Sequence, residues 1–193
     1  MTKKMDRRKK YTQMVLKESF LSILEEKPIS TITVKEICST ADINRSTFYA
    51  HFMDQYDLLN KIEEEIIEDM DNYLTLCNLC KEDETIQMTE KLLEYILENK
   101  PVFVILLSEN GDPIFLKKVM DVAHAHIVKT WIKDSPLDTS TTTYLSTFVV
   151  SGSIHVIKKW LLTDTELSAK EMAFMINQFT LQGLSSIQYF SQK

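Results

Sequence analysis

Three glycines (Gly111, Gly152, Gly183) and four prolines (Pro28, Pro101, Pro113, Pro136) are all the backbone punctuation in 193 residues. A sheet protein needs a turn roughly every 8–12 residues, and so many more of both. The scarcity points to an all-α chain of long helices.

The apolar periodicity agrees. Leu16, Phe20, Ile23 and Leu24 repeat at three- and four-residue steps on a helix that must end before Pro28. Leu59, Ile62, Ile66, Met70 and Tyr73 continue the same steps on a longer helix, whose other side (Glu63, Glu64, Glu65, Glu68, Asp69, Asp71) reads as a solvated face. Thr33-Val-Lys-Glu36 and Ser168-Ala-Lys-Glu171 have capping-box spacing, and Asp112-Pro113 sets a cap before a proline at the first helical position. Lys100-Pro101 separates a helix over 84–99 from a short apolar one at Val102–Leu107. A polar stretch from Asp134 to Thr143 divides a helix ending near Lys133 from one reaching about Leu162, and a last helix runs from Ala169 to about Tyr189. About nine helices are expected.

Charge is unevenly placed. The chain carries a net charge of −6, yet residues 1–60 hold ten Lys/Arg against eight Asp/Glu, and MTKKMDRRKK alone holds six basic groups against Asp6. A basic end on an acidic body suggests a segment facing a polyanion, although a solvated tail has the same composition. The longest aliphatic and aromatic run, Val102–Leu107, is far below the ~20 residues of a membrane span. No apolar segment follows the basic N-terminus, as a secretory signal would require. Cys38, Cys77 and Cys80 make no disulfide framework. A reduced, cytoplasmic protein without a membrane partner is expected.

Between Pro28 and Gln55 the elements shorten. A helix following Thr33, a turn at Ala41-Asp42-Ile43 and a second helix capped by Asn44 have helix-turn-helix spacing. Val34, Ile37, Ile43 and Phe48 are placed to pack inward. Arg45, Ser46, Thr47, Tyr49 and His51 have no apolar duty, and their side chains suit phosphates and base edges. Tyr49 or His51 as satisfied core residues would fit the spacing too.

TITVKEICSTADINRSTFYAHFMDQYDLL, residues 31–59, resembles the DNA-binding segment of TetR/AcrR-type transcriptional regulators. Thr33, Val34, Ile37, Ala41, Ile43, Thr47, Phe48, Tyr49, His51 and Phe52 match the family's pattern in one register. The later stretches LLSENGDPIFLKKV and SGSIHVIKKWL look like the regulatory half of a Gram-positive-type subgroup. The resemblance implies a three-helix DNA-binding head over residues 1–55 and a regulatory and dimerisation domain over 56–193. It implies that Thr33, Asn44, Tyr49 and His51 position the DNA backbone, joined by Lys35 and Gln55, while Arg45, Ser46 and Thr47 face base edges. Two positions depart from the family. Asp42 replaces a glycine in a turn that tends to need a left-handed backbone, which Asp tolerates. Gln55 replaces a phosphate-contacting lysine, so no counterion is released there.

The resemblance further implies a homodimer on a pseudo-palindromic operator and a cavity for a small apolar or amphipathic effector. Met70, Tyr73, Phe103, Leu106, Phe115, Met120 and His126 are its candidate lining, with ordinary core as the alternative. The last two long helices are apolar most of the way round, which calls for cover on several sides. Ile154, Ile157, Trp160, Met175 and Phe179 are candidates for a subunit interface, unless these helices are simply central. The apolar surroundings of Cys77-Asn-Leu-Cys80 favour two inert thiols, with thiol sensing as the alternative, and no second Cys pair or nearby His completes a zinc site. His124 and His126, two apart on a helix, face different ways. His155 is expected to be packed. No catalytic residues, metal ligands or cofactor site are expected. A repressor released by its effector is the primary expectation; a coactivator answering to a protein partner, or a helical enzyme or carrier, are the alternatives.

Overall fold

A computed structural model describes residues 2–75, 82–112, 114–134, 138–163 and 166–188. Among them are nine α-helices and no strand: α1 (Thr2–Glu26), α2 (Val34–Ala41), α3 (Arg45–Tyr49), α4 (Gln55–Thr75), α5 (Glu82–Glu98), α6 (Lys100–Leu106), α7 (Phe115–Asp134), α8 (Thr139–Leu162) and α9 (Ala169–Gln188). A single 3-10 turn, Ile29–Thr31, follows α1. The basic run near the N-terminus continues α1 as helix rather than forming a separate tail. Cys77 and Cys80 lie outside the described residues, as do Pro113 and Tyr189.

The chain forms two compact units. The first joins residues 1–66 to 101–115; the second holds 67–100 and 116–193. In the first, Leu16, Phe20 and Leu24 of α1 are fully buried, with Ile37 of α2, Phe48 of α3 and Leu58 of α4. Phe103, Leu106 and Phe115 are buried in this unit as well, although they lie far along the chain. The loop between α6 and α7 is tied to the end of α1. Ile29 N–H donates to the Asn110 carbonyl oxygen (3.4 Å), and Asn110 Nδ2 donates to the Glu25 carbonyl oxygen (3.2 Å). Gly111 is forced by close approach: a Cβ there would stand 2.5 Å from the Leu106 carbonyl oxygen. In the second unit α5 packs along α9, and α9 also meets α8.

Three local expectations are corrected. Glu63 is fully buried rather than solvated. It follows Leu59 by four residues, so helical spacing carries it onto the apolar side of α4. Helix α8 begins at Thr139, inside the stretch read as a polar separator. Asp138 Oδ1 accepts the backbone N–H groups of Ser140 (2.9 Å) and Thr141 (3.0 Å), so hydroxyl-rich residues enter the helix behind a strong cap. His155 is exposed, with Nδ1 2.7 Å from the Ser151 carbonyl oxygen, rather than packed. The Ser168 box closes in both directions: Glu171 N–H donates to Ser168 Oγ (3.2 Å) and Ser168 N–H donates to Glu171 Oε2 (2.8 Å). His124 and His126 do face apart, His124 Nε2 lying 2.9 Å from Ser146 Oγ on α8 and His126 Nε2 2.8 Å from Asp71 Oδ1 on α4.

Candidate nucleic-acid interface

Helix α2 starts at Thr33, whose Oγ1 accepts the Glu36 N–H (3.3 Å). Only this half of the expected box forms. Glu36 turns instead to the residue just past α1, where Lys27 Nζ donates to Glu36 Oε1 (2.6 Å). That bond holds the Glu36 carboxyl below its ordinary range, and it fixes the start of α2 against the end of α1.

The turn after α2 is made by Asp42, the one non-glycine residue with positive φ among those described (φ 51, ψ 44). Its N–H donates to the Ser39 carbonyl oxygen (3.4 Å), and the Ile43 N–H donates to the Cys38 carbonyl oxygen (3.0 Å). This pair of bonds is the Schellman arrangement, which ends a helix by one left-handed residue. It reverses the chain just before α3. Cys38 is buried beneath, and burial raises its thiol pKa despite the opposing charge of Arg45. Such a thiol is a packing group rather than a nucleophile.

At α3, Asn44 stands at the cap position with an extended backbone, and its carbonyl accepts from Thr47 N–H (2.9 Å) and Phe48 N–H (3.1 Å). Its side chain makes no capping bond, contrary to expectation. The carboxamide is on the exposed surface. Phe48 is the helix's inner anchor: Tyr49 meets it edge-on at 5.6 Å, and Phe52 lies 5.7 Å away. A five-residue helix has little stability of its own, so this anchoring fixes which side chains face outward. Arg45, Ser46 and Tyr49 are exposed; Thr47 and His51 are half-buried.

One element was missed. Asp54 Oδ1 accepts the N–H groups of Tyr56 and Asp57 (both 2.9 Å), and Asp57 Oδ2 accepts the Met53 N–H (2.9 Å). This acidic box sets where Gln55 stands at the start of α4. Its signal, Asp54 with Asp57 three residues on, was present in the sequence.

The result is one shallow open cleft of about 450 Å³ lined by Ile32, Thr33, Val34, Lys35, Arg45, Tyr49 and Gln55. Thr33, Lys35, Arg45, Tyr49 and Gln55 are thus brought together from the starts of α2 and α4 and from α3. Asn44, Ser46, Thr47 and His51 lie outside that lining. The cleft holds two cations, one phenol and one amide, all donors, which suits an anionic chain more than an apolar ligand.

The other candidates are less gathered. Phe103, Leu106 and Phe115 belong to the core of the first unit; Met70, Tyr73, Met120 and His126 belong to the second, where the Tyr73 and Tyr95 rings stand 5.1 Å apart. On α8 and α9, Met175 and Phe179 are exposed and Ile154 and Ile157 half-buried. Trp160 is interior: only 5% exposed, its Nε1 donates to the Leu167 carbonyl oxygen (3.0 Å). Tyr144, Phe148 and Phe174 are exposed on the same two helices and were not singled out.

A family model of a transcriptional regulator C-terminal region, TetR_C_8, matches residues 83–182. The HTH-type transcriptional regulator YxbF of Bacillus subtilis is 30% identical over 115 residues, 58% of this chain and 30% of that protein. DhaS, the HTH-type activator of the dhaKLM operon in Lactococcus lactis, is 30% identical over 111 residues, 54% of each. The chain therefore spans from under a third to about half of the length of these relatives. The crystal structure of a TetR transcriptional regulator from Streptococcus agalactiae has the same fold, with a TM-score of 0.67 at 20% identity over 91% of this chain and 96% of that one. With more than half of its residues inside the matched regulator region, the chain belongs to the TetR family of transcriptional regulators.

Proposed function

We propose that the chain is a sequence-specific DNA-binding regulator of transcription, working as a homodimer on a pseudo-palindromic operator. The observation that carries this reading is the cleft where Thr33, Lys35, Arg45, Tyr49 and Gln55 converge beside the exposed start of α3. Arg45, Ser46 and Thr47 meet base edges in the major groove. Arg45 has the fork geometry for a guanine, a contact that discriminates by ~1–3 kcal/mol. Thr33, Lys35, Asn44, Tyr49, His51 and Gln55 hold phosphates and fix register. Residues 1–55 do the reading, and 56–193 carry dimerisation and regulation.

The exposed aromatics of α8 and α9 support a second copy as partner, since a patch of this kind is rarely left to water. A twofold pair sets two reading helices ~34–36 Å apart, in successive major grooves. Regulation is by release: a small apolar or amphipathic effector favours the pair's non-binding spacing, and acts only through its differential affinity for the two states. This is a regulator of the cytoplasm, not an enzyme. No described helix is long and apolar enough to cross a membrane.

The experiment is selection of bound duplexes from random DNA. Enrichment of a two-armed motif is expected. On that motif, Arg45→Ala relaxes one base pair per half-site, whereas Lys35→Ala weakens all sequences alike. Failure to enrich any motif removes the proposal. A second reading, activation through a protein partner, is favoured by the name of the Lactococcus relative, an operon activator. A reporter behind the selected operator decides it: expression rising on deletion of the regulator supports repression, and falling expression supports activation.

A further inference from the structure

The cations of the first unit fall into two sets. Lys17 pairs with Glu65, Lys27 with Glu36 and Lys61 with Glu64. Among the described residues, Arg7, Arg8, Lys9 and Lys10 have no such partner, and all four are exposed. They are also badly placed for the helix that holds them. α1 has no acidic residue in its first turn to answer the positive end of its dipole. Like charges at i and i+3 add to the repulsion.

The same end presents more than charge. Arg7, Lys10, Tyr11 and Met14 fall at i, i+3, i+4 and i+7, hence on one side of α1. Tyr11 and Met14 are exposed there, so the side has cations interleaved with a phenol donor. The reading cleft, by contrast, holds only Lys35 and Arg45 as cations, and a neutral Gln55. The far end of α1 is tied to the cleft's edge by Lys27 and Glu36. From Arg7 to its end at Glu26, just before Lys27, the helix rises ~28 Å at 1.5 Å per residue. The basic end thus stands a helix length from the Lys27–Glu36 tie at the cleft's edge.

We propose that the N-terminal side of α1, with Arg7, Lys10 and Tyr11 at its centre and Arg8 and Lys9 beside them, is a second DNA contact that grips phosphates other than those held at the cleft. It carries sequence-independent affinity, while the cleft carries register and specificity. The inference rests on the DNA-binding reading above and deepens it. A polyanion laid against these groups relieves the repulsion within α1 and releases counterions in proportion to the phosphates neutralised.

The test is a salt series on the selected operator and on a scrambled duplex, comparing the full chain with the variant R7Q/R8Q/K9Q/K10Q. The expected result has three parts. The slope of log K against log salt becomes shallower by about 2–4, at ~0.9 for each lost phosphate contact summed over two chains. Operator and scrambled duplex weaken by the same factor, so their ratio is unchanged. The variant's Tm stays equal or rises, because repulsion at the start of α1 has been removed. An unchanged slope overturns the proposal while leaving the cleft reading intact. So does a loss confined to the operator, or a fall in Tm that accounts for the weakening. Capture of anionic lipid vesicles by the full chain, with the DNA slope unchanged in the variant, also overturns it in favour of a membrane surface. If the unaltered chain binds no DNA at any salt, the cleft reading itself fails and this inference falls with it.

Discussion

Asn110 lies 85 residues beyond Glu25 in the chain, yet its side-chain amide donates to the Glu25 carbonyl oxygen at 3.2 Å. The α6–α7 loop thus closes on the end of α1, and Gly111 lets it do so. The glycines of this chain consequently respond in opposite ways to the same change. Gly111→Ala drives a Cβ against backbone at 2.5 Å, where no side chain can yield. A loss of about 1–3 kcal/mol is expected, as for other overpacked sites. Gly152, inside α8, has nothing within 4 Å of an added Cβ. Gly152→Ala is expected to stabilise by up to ~1 kcal/mol through helix propensity. Urea denaturation of both variants checks the pair; equal effects refute the steric account.

Asp42 holds φ 51 and ψ 44, a left-handed conformation that costs ordinary L-residues roughly 1–2 kcal/mol. Asp42→Gly should therefore raise stability modestly, and Asp42→Val should lower it by more than that gain. Thermal unfolding followed by circular dichroism reads both. A neutral Asp42→Val would mean that the turn does not need this backbone.

Three carboxylates, exposed at Asp138 and Glu171 and half-buried at Glu36, have lowered pKa values. Glu36 is held down first by its bond from Lys27, Asp138 by the Thr141 hydroxyl, and Glu171 by the Ser168 backbone N–H. A depressed folded-state pKa stabilises above the unfolded value, and that contribution disappears as pH falls through the folded value. Stability is expected to decline on acidification from about pH 5 downward. Glu171→Gln should flatten part of that decline while lowering the plateau near neutrality. Denaturant midpoints at a series of pH values give the result, and an acid limb unaltered by the substitution contradicts it.

Phe179 and Trp160, both interface candidates by sequence, differ in burial. Phe179 is 75% exposed, and Phe179→Asp should give folded monomers that bind an operator poorly. Trp160→Ala instead opens the core, at about 3–5 kcal/mol. Light scattering and thermal unfolding distinguish them. A Phe179→Asp protein that stays dimeric would place the interface elsewhere.

Much of the head was legible because its signals are local. Apolar spacing gave the buried side of α1, and the family resemblance marked Asp42 as standing in a left-handed turn. The helix-turn-helix spacing separated Phe48 from the outward Arg45 and Tyr49. What escaped was decided by competition or by distant chain. Glu36 left its box because Lys27, across a turn, offers a charged partner. Asn44 keeps its cap position, its backbone carbonyl starting the helix, without the side-chain bond. Glu63 was grouped by its charge although its spacing was that of Leu59. No local pattern announces that Phe103, Leu106 and Phe115 lie within the first unit.

That last placement bears on how such regulators can be rearranged. A head that closes over residues 101–115 is not portable at its obvious border. A fragment cut after Ile66 leaves behind three aromatic or aliphatic side chains from its own interior, together with the Asn110 latch on α1. Grafting this head onto another protein would succeed only if the α6 segment travelled with it.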